Sequence, residues 1–105
     1  MVLKKENSNF EQQKQQLYHY WGKNRIVTSV EVLKAFLAVP RELFVDHTYK
    51  DQSYADHPLP ISCEQTISQP TTVMLMLQLL EVLPGQRVLE IGTGSGYNAA
   101  LIAEL

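Results

Sequence analysis

"VLEIGTGSGY", residues 88–97, decides how this chain of 105 residues is read. Its first half belongs to "RVLEI", residues 87–91, a short and largely apolar run of the kind that forms a strand inside a parallel sheet. A glycine loop follows, and "YNAALIAEL", residues 97–105, opens a helix. Strand, glycine loop and helix make the first half of a βαβ unit, whose ligands sit beyond the carboxyl end of the strand. Gly92, Gly94 and Gly96 let the backbone turn sharply and approach a ligand closely. A dinucleotide fingerprint, G-x-G-x-x-G, would need glycine at 97, where Tyr97 stands. The spacing is G-x-G-x-G instead, with an acid, Glu90, two residues before the first glycine. From the loop alone, a nicotinamide-type site and a purely structural turn remain open alternatives.

Upstream, "SQPTTVMLMLQLLEVL", residues 68–83, predicts a helix. Ser68 is its candidate N-cap and Pro70 suits its first turn. Val73, Met74, Leu77, Leu80 and Val82 or Leu83 would form the buried face, with Met74 and Met76 read as core packing. Pro84-Gly85 is a turn. "PISCEQTISQP", residues 60–70, is polar between two prolines and reads as loop, as does most of the stretch from Asp46 to Gln69. It places two hydroxyls, Thr66 and Ser68, just before a helix start.

Further back, "TSVEVLKAFLAVP", residues 28–40, predicts a helix capped by Thr28 or Ser29 and ended by Pro40. Val30, Leu33, Phe36 and Leu37 give its apolar stripe, and "RELFV" a short helical turn. Phe10, Leu17, Tyr18 and Trp21 predict a helix over about 9–21, with Gln13 and Lys14 interrupting its stripe and Gly22 as its stop.

Hydrophobic content of 45%, charged content of 19% and a net charge of −2 describe an ordinary globular domain without a basic field for nucleic acid. No apolar run approaches a membrane span. A single cysteine, Cys63, cannot form an internal disulfide and suits a reducing compartment, so a cytoplasmic protein is expected. His19, His47 and His57 show no ligand spacing, and no metal is expected.

The G-x-G-x-G loop with its preceding acid resembles motif I of the S-adenosylmethionine-dependent methyltransferases. The charges agree. The cofactor carries a sulfonium and an ammonium and no phosphate, so Glu90 is favourable where it would repel a pyrophosphate. "VPRELFV", "YADHPLPI", "QTISQP" and "RVLEIGTGSGYNAALIAEL" follow one another with the order and spacing of the protein-L-isoaspartate O-methyltransferase family. The resemblance covers about residues 26–105. It implies an α/β fold: N-terminal helices, then the first strand and helix of a Rossmann-like, doubly wound methyltransferase sheet, the part present being mostly helical. Residues 1–69 would be a helical region with the active-site loop, and residues 70–105 the opening of the cofactor domain. The resemblance further implies methyl transfer from S-adenosylmethionine to the free α-carboxylate of isoaspartyl residues in damaged proteins. Ser68 falls on the family's catalytic serine. Gln65, Thr66, Ile67, Glu90, Gly92, Thr93, Gly94, Ser95 and Gly96 fall on positions at the cofactor.

Elementary chemistry accommodates these assignments. A carboxylate with a pKa of about 4 is already ionised at neutral pH, so attack on a sulfonium methyl needs no strong base. It needs positioning, which short hydroxyls and the positive end of the helix after Ser68 could supply. The family's approach to this loop reads like "PIGHGQTISQP", and here Ser62, Cys63 and Glu64 replace its glycine-rich part. A positive φ at Glu64 would be strained, and its charge would sit near an anionic substrate. Cys63 is read as a passive neighbour. Family members run longer than this chain, which is therefore expected to be an inactive N-terminal piece. Without sheet neighbours, "RVLEI" is expected to be poorly ordered or to drive self-association. A non-catalytic relative that binds the cofactor or a partner is the alternative.

Overall fold

The computed structural model describes residues 2–105. Helix α1, Val2–Lys23, runs longer than the apolar stripe predicts. Among its described side chains Phe10, Lys14 and Trp21 are buried, and Leu17 half-buried, on one face. Lys14, an interruption in the sequence, joins that face. Its stem lies along the core while Nζ donates to the Leu37 carbonyl at 3.4 Å and stands 5.5 Å from the Tyr54 ring centre. Gly22 is not the stop. The chain leaves the helix through Arg25 at φ 53°, with Ile26 N–H on the Trp21 carbonyl and Arg25 N–H on that of Gly22. This is a Schellman ending built on arginine.

Helix α2, Val30–Ala38, starts at Ser29, whose Oγ accepts the Val32 N–H at 3.3 Å. Its buried residues are Val32, Ala35 and Phe36, whereas Val30, expected in the stripe, is 56% exposed. It lies in the first turn, on the side away from that face. Val39 takes the extended conformation that a following proline imposes. Two 3₁₀ turns follow, Arg41–Phe44 and His47–Gln52, the second capped by Asp46 on Thr48 N–H.

The predicted loop then contains the β-structure found among the described residues. Strands β1, Leu59–Pro60, and β2, Thr66–Ile67, pair antiparallel with Leu59 opposite Ile67 and Pro60 opposite Thr66. Two residues per strand are too few for alternation to show in the sequence, and Leu59 and Ile67 both point into the core.

Helix α3, Pro70–Leu80, is entered from Gln69, one residue later than the expected cap, and ends at Glu81 in a left-handed conformation. Val73, Met74 and Leu77 are buried; Met76 and Leu80, expected inside, are exposed, and of the alternatives Val82 and Leu83 the first is half-buried and the second exposed. From there to Gly96 no strand forms among the described residues, and "RVLEI" is extended chain with Leu89 and Ile91 about 87% and 90% exposed. A strand exists only when a neighbour completes its ladder, and nothing within the described residues lies alongside. Helix α4, Tyr97–Glu104, returns to the core through Tyr97 and Leu101. Helix α2 packs against both α3 and α4. Trp21, Phe36, Tyr54 and Phe10 form a chain of tilted and edge-to-face rings at the centre, with centroids 4.7–6.3 Å apart. The described residues thus form a mixed α/β, mostly helical unit with one two-stranded sheet.

Candidate active site between the hairpin and the glycine loop

The β1–β2 hairpin closes through a tight turn. Ile61 N–H donates to the Gln65 carbonyl at 2.9 Å, and Gln65 N–H to the Ser62 carbonyl at 3.4 Å. The two central residues, Cys63 and Glu64, have φ of 62° and 58°. Two-residue hairpin turns of this kind favour Asn-Gly because both positions need positive φ. Cys63-Glu64 holds the same shape at a steric cost of about 1–2 kcal/mol per residue. Glu64 therefore takes the strained backbone that its position in the motif raised. Cys63 is exposed and free.

Beyond the turn, Ile67 enters the core while Gln65, Thr66 and Ser68 are exposed. Thr66 and Ser68, two apart along an extended chain, share one side of it. Ser68 does not cap α3: the capping position belongs to Gln69, with no side-chain bond. The N-terminus of α3 is occupied from elsewhere. Asp56, on the approach to β1, accepts Thr71 N–H at 3.0 Å on one oxygen and the Thr71 hydroxyl at 2.7 Å on the other. The Thr71 hydroxyl in turn accepts Trp21 Nε1–H at 2.8 Å. An anion at this helix start would compete with Asp56 for the Thr71 N–H. The hydroxyls of Thr66 and Ser68 remain as exposed donors.

The hairpin and the glycine loop are brought together. Gly92, Gly94 and Gly96 have φ of 78°, 59° and 91°, conformations that only glycine adopts without strain. A Cβ on Gly94 would stand 3.4 Å from Ile61 Cδ1, and one on Gly96 3.9 Å from Phe44 Cε1, whereas one on Gly92 would meet open space. Thr93 and Ser95 are exposed beside them. Phe44 packs on Tyr97 with ring centres 5.6 Å apart, which ties the end of the loop to the 3₁₀ turn that follows Pro40. Glu90 is not brought to the hairpin. It lines a cavity of about 310 Å³ with Val82, Gln86, Val88, Ala99 and Ile102, and its buried Oε1 has no hydrogen-bond partner among the described residues.

Between hairpin and glycine loop lies Arg41, which is wholly buried. Nε donates to the Ser53 carbonyl at 2.6 Å and Nη2 to the Ser68 carbonyl at 2.8 Å, while the guanidinium carbon stands 5.1 Å from the Tyr97 ring centre. Arg41 N–H donates to the Tyr54 hydroxyl at 3.0 Å, which itself donates to Glu42. Burial pushes the guanidinium below its usual pKa. Burial also pushes the Tyr97 hydroxyl up to about 12, against the opposing pull of Arg41. Tyr54 is raised further, by burial and then by Glu42. Sequence reasoning missed Arg41, Asp56 and Thr71. For Arg41 a signal existed: one basic residue inside the apolar run "AVPRELFV", residues 38–45. No three His, Cys, Asp or Glu among the described residues converge to hold a metal.

Residues 12–105 match the family described as protein-L-isoaspartate(D-aspartate) O-methyltransferase. Protein-L-isoaspartate O-methyltransferase 1 of Syntrophobacter fumaroxidans is 48% identical over 97 residues, covering 92% of this chain and 45% of that protein. The protein-L-isoaspartate O-methyltransferase of Pyrococcus horikoshii is 47% identical over 86% of this chain and 44% of its own length. That of Ruegeria pomeroyi is 56% identical over 75% and 37%. The chain spans under half the length of these curated relatives. By the match of all but its first turns, the chain belongs to the protein-L-isoaspartate(D-aspartate) O-methyltransferase family.

Proposed function

We propose that the whole protein transfers a methyl group from S-adenosylmethionine to the free α-carboxylate of isoaspartyl residues in damaged proteins. The observation that carries this is the junction itself: the exposed hydroxyl pair of Thr66 and Ser68 sits on a hairpin whose Ile61 faces Gly94 in a loop of three positive-φ glycines, near enough to meet any Cβ placed there. The cofactor fits these residues. Open space above Gly92 admits close backbone approach, and Glu90, two residues before it, keeps an unpartnered Oε1 in the neighbouring cavity, an acceptor that a donor reaching past the loop would satisfy. Gln65 and Thr66, exposed on the hairpin, complete the proposed cofactor wall with Thr93 and Ser95, while Ile67 would contribute through its backbone because its side chain is in the core.

When bound, S-adenosylmethionine supplies an electrophilic methyl; the carboxylate oxygen forms the new bond, and the sulfur keeps the electron pair of the bond that breaks. The protein moves no proton in this step, because the carboxylate is ionised at neutral pH. Its task is to hold that carboxylate in line and dry. Ser68, with Thr66 beside it, donates hydrogen bonds that fix the carboxylate; Asp56, by filling the α3 terminus, steers it towards these hydroxyls.

In this reading residues 1–69 supply the helical support and active-site loop, and residues 70–105 open a Rossmann-like cofactor domain in which 87–91 is the first strand. The exposed Leu89 and Ile91 are the surface through which the 105-residue chain, taken alone, would self-associate rather than turn over substrate. The free Cys63 suits a cytoplasmic setting. No helix among the described residues is long and apolar enough to cross a membrane.

Methylation of an isoaspartyl peptide by the whole protein tests the proposal. Ser68→Ala is expected to slow turnover about tenfold or more with cofactor affinity kept. Gly94→Val is expected to weaken cofactor binding about ten- to a hundredfold, the equivalent of 1–3 kcal/mol of backbone strain. Binding of S-adenosylmethionine without any methyl transfer would instead support a non-catalytic module.

A further inference from the structure

We propose that Arg41 is the positioning residue that registers Ser68 against the glycine loop, an inference that rests on the methyl-transfer reading above. One side chain reaches three separate segments. Its Nε holds the Ser53 carbonyl, its Nη2 holds the Ser68 carbonyl, and its plane lies over Tyr97, the residue that follows Gly96. A guanidinium can do this because its donors are fixed in a planar fork, so aiming one at Ser53 fixes the direction of the other. Both bonds are charge-assisted and the side chain is wholly buried, which makes them strong and makes their loss costly. Burial has a price in solvation, seen as the lowered pKa of the group. Stability does not require an arginine here, since apolar packing commonly replaces a buried charge at no loss. Geometry does require it. The carbonyl of Ser68 is one residue's backbone away from the hydroxyl assigned to the substrate carboxylate, and displacements near 1 Å can slow such reactions about a hundredfold. Gly92 to Gly96 keep their own shape through their φ angles and α4, so the loss on removing Arg41 falls on Ser68 rather than on the cofactor loop.

The sharpest test compares Arg41→Lys with Val32→Ala in the whole protein. Lysine keeps the charge but cannot serve both carbonyls; Val32 is buried in α2, outside the fork, and controls for general destabilisation. Arg41→Lys is expected to lower kcat on an isoaspartyl peptide about a hundredfold, with the dissociation constant for S-adenosylmethionine within about twofold of wild type. Amide exchange across residues 65–69 should rise in this variant and not in Val32→Ala. Equal losses of kcat in the two variants, or a wild-type kcat in Arg41→Lys, would overturn the proposal. If Arg41→Lys does not fold, nuclear magnetic resonance of the wild type decides. The Arg41 Nε–H and Nη2–H should both exchange far more slowly than in free arginine, with cross-relaxation from Nε–H to Ser53 and from Nη2–H to Ser68, and exchange at the free rate overturns the fork. A wild type that shows the fork but never methylates overturns the methyl-transfer reading instead, and with it any catalytic role for Arg41.

Discussion

Residues 87–91 and residues 59–67 present opposite relations between sequence and structure. "RVLEI" carries the strongest strand pattern in the chain and forms no strand. "LPISCEQTI", with two prolines and a polar centre in its surroundings, holds the hairpin. The difference lies in what each segment has beside it. Leu59 and Ile67 lie opposite one another and dip into the core, so two ladder positions and a tight turn suffice. Val88, Leu89 and Ile91 have apolar side chains on both faces and need neighbours on both edges. β-propensity describes fit to a pleated, half-buried surface, and the surface must exist before the propensity acts.

One substitution made twice would break this comparison if it is wrong. Leu59→Ala should cost about 2–5 kcal/mol by creating a cavity in the core. Leu89→Ala in the 105-residue chain, diluted until it is monomeric, should change its stability by no more than about 0.5 kcal/mol, as at an ordinary surface position. Denaturant unfolding of both variants at that dilution checks it; equal costs would mean that 87–91 is buried within the monomer.

The next largest effect concerns the anchor that brings the extended segment back to the core. Tyr97 ionises in the unfolded chain near pH 10 but in the fold only near pH 12, because burial raises it. A raised folded value gives stability that is complete below pH 10 and is lost as the pH climbs towards 12. Two units correspond to about 2–3 kcal/mol. Unfolding free energy should therefore fall across this window, and Tyr97→Phe should remove part of the fall. Tyr54, raised in the same direction, keeps the remainder. An identical alkaline slope in wild type and Tyr97→Phe would show that Tyr97 is not docked.

The smallest effect sharpens the hairpin side. Glu64→Gly should stabilise the chain by about 1 kcal/mol, because glycine takes φ near 58° without steric cost. A destabilised variant would mean that Glu64 earns its strained backbone through a contact of its own.

The family and the identity of the loops were legible because they are written in residue types at fixed spacing: three glycines with an acid before them, and a hydroxyl pair before a proline-started helix. The helices were legible from apolar periodicity, to within a few residues at their ends. Three features were not. Lys14 counts as polar in any pattern, yet its stem packs inside. Asp56 caps a helix that begins fourteen residues later, a pairing no local rule can find. Arg41 looks like a surface charge until the fold closes over it, and only then do two carbonyls from distant segments become its partners.

The contact between Trp21 and Thr71 makes the chain a reporter of its own site. Trp21 is the sole tryptophan, it is shielded from solvent, and its indole N–H ends on a hydroxyl held by Asp56 at the first turn of α3. Its fluorescence therefore senses the geometry three residues from Ser68 without any label. A ligand that shifts the start of α3 or draws Thr71 away from Asp56 changes the polarity and hydrogen bonding around that one emitter. Titrations of candidate ligands can therefore be followed in the ultraviolet, without a label and at low protein concentration.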